Sequence, residues 1–285
     1  VFDADGDRFY RLEYDAYKNA LIVLNGDETA FLQAKYLMAT DPKRYKGSRY
    51  INSVESDLNT ATTVKKLGFR PVLTSVGDKW ILLKIASLIM EKRFREMKKS
   101  NGIKMLPSSL LKKWKHIQNN GTLDILKFEE LESELDHFGR INKVEKIFTS
   151  DNENNFFSFA IGSEETGHNI TYGSLIREDG KQIPGVFGNG LKNAINTFVA
   201  TQLLLESKPM RTYFSVLAQP FPHGFKQTFY TYYIKKELFH KNSRIWNRLK
   251  KFIYQEARNK GFSPRFTSFS EEPDMLYISL NSKNG

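Results

Sequence analysis

The chain has 285 residues, 40 % hydrophobic and 26 % charged, with 43 Lys and Arg against 32 Asp and Glu for a net charge of +11. That length suffices for a buried core and for two domains, and the composition is that of an ordinary globular protein. The sequence has no cysteine, which excludes disulfides and thiolate metal sites. No apolar run approaches the roughly 18 residues of a membrane span and no signal-peptide pattern is present, so the expected location is the cytoplasm, without a membrane partner. The basic excess lies mostly in residues 91–115 and 226–260. It favours anionic partners, but both stretches read as helices with solvated lysine faces. Nucleic-acid binding needs a reading element as well as charge, and no zinc spacing, RNP-like run or glycine clamp occurs here.

The sequence opens on Val1-Phe2-Asp3-Ala4-Asp5-Gly6-Asp7-Arg8. Three aspartates at alternate positions, closed by an arginine, can turn several carboxylate oxygens to one point, the chemistry of a hard divalent cation such as Mg²⁺. Without a cation or several donors, three such carboxylates repel one another. A solvated acidic turn is the plain alternative. An EF-hand loop starting at Asp3 needs glycine sixth and glutamate twelfth, and those places hold Arg8 and Tyr14. A haloacid-dehalogenase-type phosphatase also begins with an apolar run and D-x-D-G, with Asp3 as nucleophile. Its later acidic pair has only a partial echo in Gly77-Asp78, which Lys79 follows.

Residues 9–14 and 20–24 read as strands joined by a turn. Asn25-Gly26-Asp27 breaks the pattern, and Asp27 is expected to cap a helix over 28–40 whose buried face holds Phe31, Ala34, Tyr36, Leu37 and Met38. A strand over 49–54, a helix over 57–66 stopped by Gly68 and a strand over 70–74 make a parallel βαβ unit. Helices are expected over 85–99, 107–119 and 128–138, separated by Asn-Gly pairs and Gly139. A strand over 156–161 leads into Gly162-Ser163-Glu164-Glu165-Thr166-Gly167-His168. Asp179-Gly180 makes a turn, and 189–207 reads as an amphipathic helix with Leu191, Ala194, Phe198, Ala200 and 203–205 on its apolar side. After Lys208-Pro209 come a helix over 212–216, a strand over 229–234, a basic helix over 243–260, and strands over 262–266 and 275–280.

Four stretches in this order resemble the α-D-phosphohexomutases, the phosphoglucomutase and phosphomannomutase superfamily. Asp3-x-Asp5-x-Asp7-Arg8 is similar to the metal loop. The hairpin, Leu24-Asn25-Gly26-Asp27 and the following helix resemble the passage from the second domain into the third. Thr74-Ser75-Val76-Gly77-Asp78-Lys79 resembles Thr-x-Val-Gly-Asp followed by a basic residue. Gly162–Ser163-Glu164-Glu165-Thr166-Gly167-His168 resembles the sugar-recognition loop, with Thr in place of the usual Ser.

The resemblance implies an α/β fold: a mixed-sheet phosphohexomutase-type domain with a helical insertion, then a smaller α+β C-terminal domain. Residues 1–24 end the metal-binding second domain, 25–207 form the third with an insertion at about 91–155, and 208–285 form a divergent fourth. Asp3, Asp5 and Asp7 are implied to hold Mg²⁺, Arg8 to steady the phosphoryl group or the loop, and Lys79 to contact substrate. Glu164 and Thr166 are implied to grip the sugar, with His168 beside them. The implied activity interconverts hexose 1-phosphate and 6-phosphate through a phosphoserine, and no Thr-x-Ser-His-Asn-like loop occurs in these residues. A chain opening inside the metal motif reads as a fragment, inactive alone. The family's phosphate loop, Arg-x-Ser-Gly-Thr-Glu-Pro, aligns with Thr267-Ser268-Phe269-Ser270-Glu271-Glu272-Pro273, in which two glutamates replace an anion cradle. A non-catalytic relative that kept the fold is therefore the alternative. The insertion offers a cover for the site or a surface for a homo-oligomer.

Overall fold

The computed structural model describes residues 1–99, 107–119, 125–141, 159–176, 178–180, 182–224, 235–269 and 272–282. They fall into two compact units, one within Val1–Leu110 and Leu131–Lys226, the other within Leu111–Glu130 and Gln227–Gly285.

The first unit opens with an antiparallel hairpin, β1 (Arg11–Asp15) and β2 (Ala20–Leu24), Arg11 opposite Leu24 and Asp15 opposite Ala20. Helix α1 (Gly26–Thr40) follows directly, then a single turn, α2 (Pro42–Tyr45). Strands β3 (Arg49–Ser53) and β4 (Arg70–Thr74) pair in parallel across α3 (Thr60–Leu67), which Gly68 ends at φ +107. The long α4 (Asp78–Lys99) begins seven residues before the expected start. Helices α5 (Ser108–Asn119) and α6 (Ile125–Ile141) come next. Then β5 (Phe159–Ser163) pairs in parallel with β3, and β6 (Asn169–Ile176) and β7 (Gln182–Gly188) extend the sheet antiparallel. The result is a mixed five-stranded sheet in the order β4-β3-β5-β6-β7. Sequence reading had assigned only a turn to the β6–β7 pair. Residues 156–158 of the expected strand before the sugar loop, and the whole strand expected over 229–234, lie outside the described residues.

Two apolar clusters place a helical layer on each face of the sheet. One joins Ala30, Phe31 and Ala34 of α1 and Val64 of α3 to Tyr50, Ala160 and Ile161. The other joins Ile81, Ile85 and Leu88 of α4 to Ile51, Phe159 and Ile170. Burial of such side chains is worth roughly 1.5–3 kcal/mol each, so these clusters dominate the stability of the unit. Further along α4, the fully buried Arg93 reaches Glu132 (3.2 Å) and Asp136 (2.8 Å), one turn apart on α6. This fork ties α6 to α4, and the two carboxylates offset a guanidinium whose burial without a partner would be costly.

The cap of α1 differs from expectation. Asn25 is the N-cap: its side chain accepts from the N–H of Glu28 while Glu28 accepts from the N–H of Asn25, a complete capping box. Asp27 is instead fully buried and reaches away from the helix, accepting from Ser163 Oγ (2.9 Å) and the N–H of Asp57 (2.9 Å). Burial pushes its carboxyl above the ordinary carboxylate range, against those donors. It pins the start of α1 to β5 and to the loop after β3.

The helix expected over 189–207 forms as α7 (Gly190–Leu205); Ala200 and Leu205 of the expected apolar side are buried, but the rest of the buried face is polar and most of the expected apolar side is exposed. Asn193, Thr197 and Thr201 are buried, whereas Leu191, Ile195, Phe198 and Leu203 are half or more exposed. Hydrogen bonds fix this orientation. Asn193 donates to the Asn169 carbonyl (2.6 Å), Gln33 of α1 donates to Thr197 (3.1 Å), and Arg11 of β1 donates to Thr201 (2.8 Å). Buried polar groups are costly unless paired; these bonds satisfy the Asn193 amide nitrogen, Thr197 and Thr201, while Asn193 Oδ1 is buried with no partner among the described residues. Helix α8 (Met210–Ala218) then packs Phe214 and Leu217 against Ile22, Leu24 and Leu32.

The second unit contains α9 (Arg244–Asn259), capped by Ser243, and the antiparallel pair β8 (Phe262–Thr267) and β9 (Tyr277–Ser282). Trp246 and Ala257 are the buried residues of α9. The Lys250 ammonium lies 5.0 Å from the Trp246 ring and 4.9 Å from that of Phe266, the geometry of a cation–π contact. Among the described residues no helix is long and apolar enough to cross a membrane.

Two outcomes test this fold. Asn25→Ala should lower unfolding free energy by about 1 kcal/mol through loss of the capping box, measured by urea denaturation. Lys192 of α7 donates to the carbonyls of Thr171 (3.2 Å) and Tyr172 (2.5 Å), and burial pushes its ammonium down to about 8. Between about 8 and the ordinary 10.5 the unfolded chain holds the extra proton, so stability rises with pH across that window and is lost as pH falls through about 8. Lys192→Met should flatten this slope in thermal melts recorded from pH 7.5 to 10.5.

Candidate functional site

Three chain segments meet beside the N-terminus of α1. The first is the acidic loop of residues 3–8. The second is the turn between β4 and α4, and the third is the Glu164–His168 loop between β5 and β6. Arg8 forms a β-bridge with His168, and the N–H of Phe9 donates to the Gly167 carbonyl (3.2 Å). Gly26 lets the helix start come this close. It donates to the Glu165 carbonyl (3.2 Å), and a Cβ at this position would overlap the Glu164 carbonyl oxygen and the Gly167 backbone.

His168 stands at the centre, buried, with one carboxylate on each ring nitrogen. Nε2 lies 2.8 Å from Asp7 Oδ2, and Nδ1 lies 3.0 Å from Glu164 Oε2. The bond to Glu164 raises its pKa above the ordinary imidazole value, burial opposes the rise, and Asp7 adds to it. In its imidazolium form the ring donates to both carboxylates. Arg8 Nε, 3.3 Å from the same Nε2, is then a like-charged neighbour whose acidic partner is Asp3 at 3.5 Å.

Glu164 is almost wholly buried and both its oxygens are engaged. Oε1 accepts from the N–H of Gly77 at 2.6 Å, and Oε2 meets His168 and, at 3.5 Å, the Thr166 hydroxyl. The carboxylate assigned by resemblance to gripping a sugar therefore also joins its own loop to the turn that carries Asp78 and Lys79. Lys79 is placed differently. It lies in the first turn of α4, and its ammonium sits 5.0 Å from the Trp80 ring.

The acidic loop offers oxygen ligands. One carboxylate oxygen each from Asp3, Asp5 and Asp7 lie within 4.8 Å of one another, and Asp7 Oδ1 is buried with no hydrogen-bond partner among the described residues. An orphaned buried carboxylate oxygen beside two further carboxylates fits a hard divalent cation. For Asp3, burial pushes the carboxyl up, but the N–H of Arg8 and the neighbouring Asp7 and Asp5 outweigh it and hold it below the ordinary value. A second trio, Asp7, Asp78 and His168, also brings its ligand atoms within 4.8 Å. Asp78 is the residue that sequence reading passed over. It was read only as a weak echo of a phosphatase acidic pair, although it ends the same Thr74-Ser75-Val76-Gly77-Asp78 motif that drew attention to Lys79.

These features define an α/β domain with an acidic loop docked on a histidine-centred one. Residues 25–91 match the family described as phosphoglucomutase/phosphomannomutase, alpha/beta/alpha domain III. Over that segment the chain is similar to this one domain of the family. The match ends where the inserted helices were expected to begin. No curated protein matches the chain. Among solved structures, the chain is similar to a phosphoglucomutase/phosphomannomutase family protein from Burkholderia thailandensis, at 15 % identity and TM-score 0.31, over 73 % of this chain and 28 % of that one. It is also similar to an N-acetylphosphoglucosamine mutase from Aspergillus fumigatus in complex with glucose 1,6-bisphosphate, at 11 % identity and TM-score 0.46, over 99 % of this chain and 44 % of that one. The chain thus spans less than half the length of these structures.

Gly26→Ala forces α1 away from the loop it touches. It should cost about 3 kcal/mol of stability, the upper end for overpacking, in a urea denaturation series. A cost below about 0.5 kcal/mol would show that the close approach is not required.

Proposed function

We propose that the protein acts as a phosphohexomutase-type intramolecular phosphotransferase, interconverting hexose 1-phosphate and hexose 6-phosphate with a phosphoserine as carrier. The observation that carries this reading is the docking of the acidic loop on the Glu164–His168 loop, with Asp78 brought to the same place. In this reading Asp3, Asp5 and Asp7 hold a divalent cation, taken to be Mg²⁺, which neutralises charge on a phosphoryl group when bound. Arg8 lies beside that loop and supplies a guanidinium for phosphate oxygens. Thr166 offers a hydroxyl to the sugar, and Glu164 orients the loop that presents it. Lys79 reaches substrate by leaving the Trp80 ring. His168 keeps Asp7 in place through a charge-assisted hydrogen bond rather than serving as the proton-transfer group.

One observation favours a second reading, a binding or regulatory relative without turnover. Where the resemblance expects a phosphate-loop serine, Phe269 is buried and stacks edge-on against Tyr277, ring centroids 5.7 Å apart. An aromatic packed in that position offers nothing to a phosphate. The residues Ser270 and Glu271 of this loop lie outside the described ones.

A calorimetric titration separates the two. Mg²⁺ should bind the intact chain and permit glucose 1-phosphate or glucose 6-phosphate to bind after it. Asp5→Asn should weaken Mg²⁺ at least tenfold with the fold intact, since Asp3 and Asp7 keep their contacts to Arg8 and His168. Lys79→Ala should weaken the sugar phosphate and leave Mg²⁺ unchanged. Mg²⁺ binding with no sugar-phosphate binding favours the second reading. Sugar-phosphate binding that ignores Mg²⁺ and Lys79 overturns the first.

A further inference from the structure

Within the first unit, a cavity of about 340 Å³ lies between α1, α2, α7 and the sheet, and every residue lining it is uncharged. That volume is at the lower end of the range that holds small ligands. Thr171 of β6 lines it. Ile161, directly opposite Thr171 in the sheet, belongs to the apolar cluster under α1, so the Thr171 side chain is on that face. Thr171 is buried, and its Oγ1 has no hydrogen-bond partner among the described residues. A buried hydroxyl in that state is costly, and a ligand that pairs with it removes the cost. Gln33 of α1, also buried, lines the same space. Asn169 donates its amide nitrogen to the carbonyls of Gly26 (2.8 Å) and His168 (2.9 Å), so its Oδ1 is left to accept. Gln33 must therefore turn its own amide nitrogen to Asn169 Oδ1 (3.0 Å) and Thr197 (3.1 Å), which leaves Oε1 as a fixed acceptor. Tyr36 and Tyr45 add two phenol rings. Burial pushes the Tyr45 phenol up, so it stays neutral at physiological pH. Half-buried Asn196 and exposed Val199 of α7 form the mouth.

We propose that this cavity binds a free nucleoside, its base laid against the tyrosine rings and its polar edge on Gln33 and Thr171. A nucleobase carries N–H donors and ring or carbonyl acceptors on one edge, so it can donate to Gln33 Oε1 and accept from the Thr171 hydroxyl. Its flat face stacks on aromatic side chains, whichever base it is. The ribose hydroxyls then reach the Asn196 amide at the mouth. With no cation in the lining, the phosphate of a nucleotide has no partner there, and the favoured ligand is uncharged. A hexose fits less well, because it presents hydroxyls around its whole edge and the aliphatic walls would leave several of them unpaired. The lining makes no use of the Asp3–Arg8 loop, so the site is independent of the proposed catalytic one.

The test titrates the intact chain with adenosine, uridine and glucose in a calorimeter. At least one nucleoside should bind saturably, and at least tenfold more tightly than glucose. Val199→Trp places a large ring at the mouth from an exposed position and should abolish that binding. Phe198→Trp, at the exposed neighbour that does not line the cavity, should leave it unchanged. Thr171→Val should weaken the nucleoside about fivefold, the scale of one neutral hydrogen bond, without lowering the urea midpoint of the free chain, since the lost hydroxyl had no partner. Absence of saturable binding by either nucleoside overturns the proposal, as does binding that survives Val199→Trp or is lost equally in Phe198→Trp. Glucose binding as tightly as the nucleosides overturns the ligand class. A Thr171→Val variant that is less stable yet binds nucleoside as before would show a trapped water as the hydroxyl's partner, and overturns the assigned contact.

Discussion

The candidate site depends on one buried imidazole held between two carboxylates. Asp7, His168 and Glu164 form a continuous chain that the N–H of Gly77 extends. Asp7 belongs to the acidic loop, Glu164 and His168 to the loop between β5 and β6, and Gly77 to the turn before α4. A charge-assisted bond of this kind is about twice as strong as a neutral one, and its direction is fixed. It sets the acidic loop, the Glu164–His168 loop and the start of α4 in one relation. The rest of the unit serves that relation. The sheet carries β4 and β5 to adjacent ends, α1 brings Gly26 under the loop, and Asp27 pins that helix to β5.

Much of the fold was legible because its elements announce themselves locally. The boundaries of β2 and β4 and the stop at Gly68 followed from alternation and from a glycine in a left-handed turn. The polar part of the buried face of α7 was not legible. Its sequence pattern shows which residues form a stripe, but not that Asn169, Gln33 and Arg11 wait to satisfy the polar side. Long-range partners override a helix's own pattern. The cap of α1 failed for a related reason. Asn25 and Asp27 are both good caps by type, and only burial beside Ser163 and Asp57 decides that Asp27 is used elsewhere.

The site itself divides the same way. Asp3, Asp5 and Asp7 were readable from alternate spacing, and Glu164, Thr166 and His168 from a resemblance in one loop. That Asp78 stands with Asp7 and His168 is a fact of the sheet's topology, since β4 and β5 flank β3 and deliver their following loops to the same end. Sequence distance hides this. The same topology explains why Glu164 is buried. A residue at the end of a central strand has neighbours on both sides, so its carboxylate is satisfied by the protein itself.

The outward apolar side of α7 has a consequence for how the chain behaves in solution. Leu191, Ile195, Phe198 and Leu203 form a greasy rail facing water, held outward by hydrogen bonds on the other side. Sulfate and phosphate salts, which strengthen apolar association by exclusion from protein surfaces, act on that rail directly. The polar seam stays shut through the bonds of Asn193, Thr197 and Thr201, so the helix has no inexpensive way to roll and hide its leucines. Precipitation by such salts would then proceed from folded molecules adhering along one edge, not from unfolding.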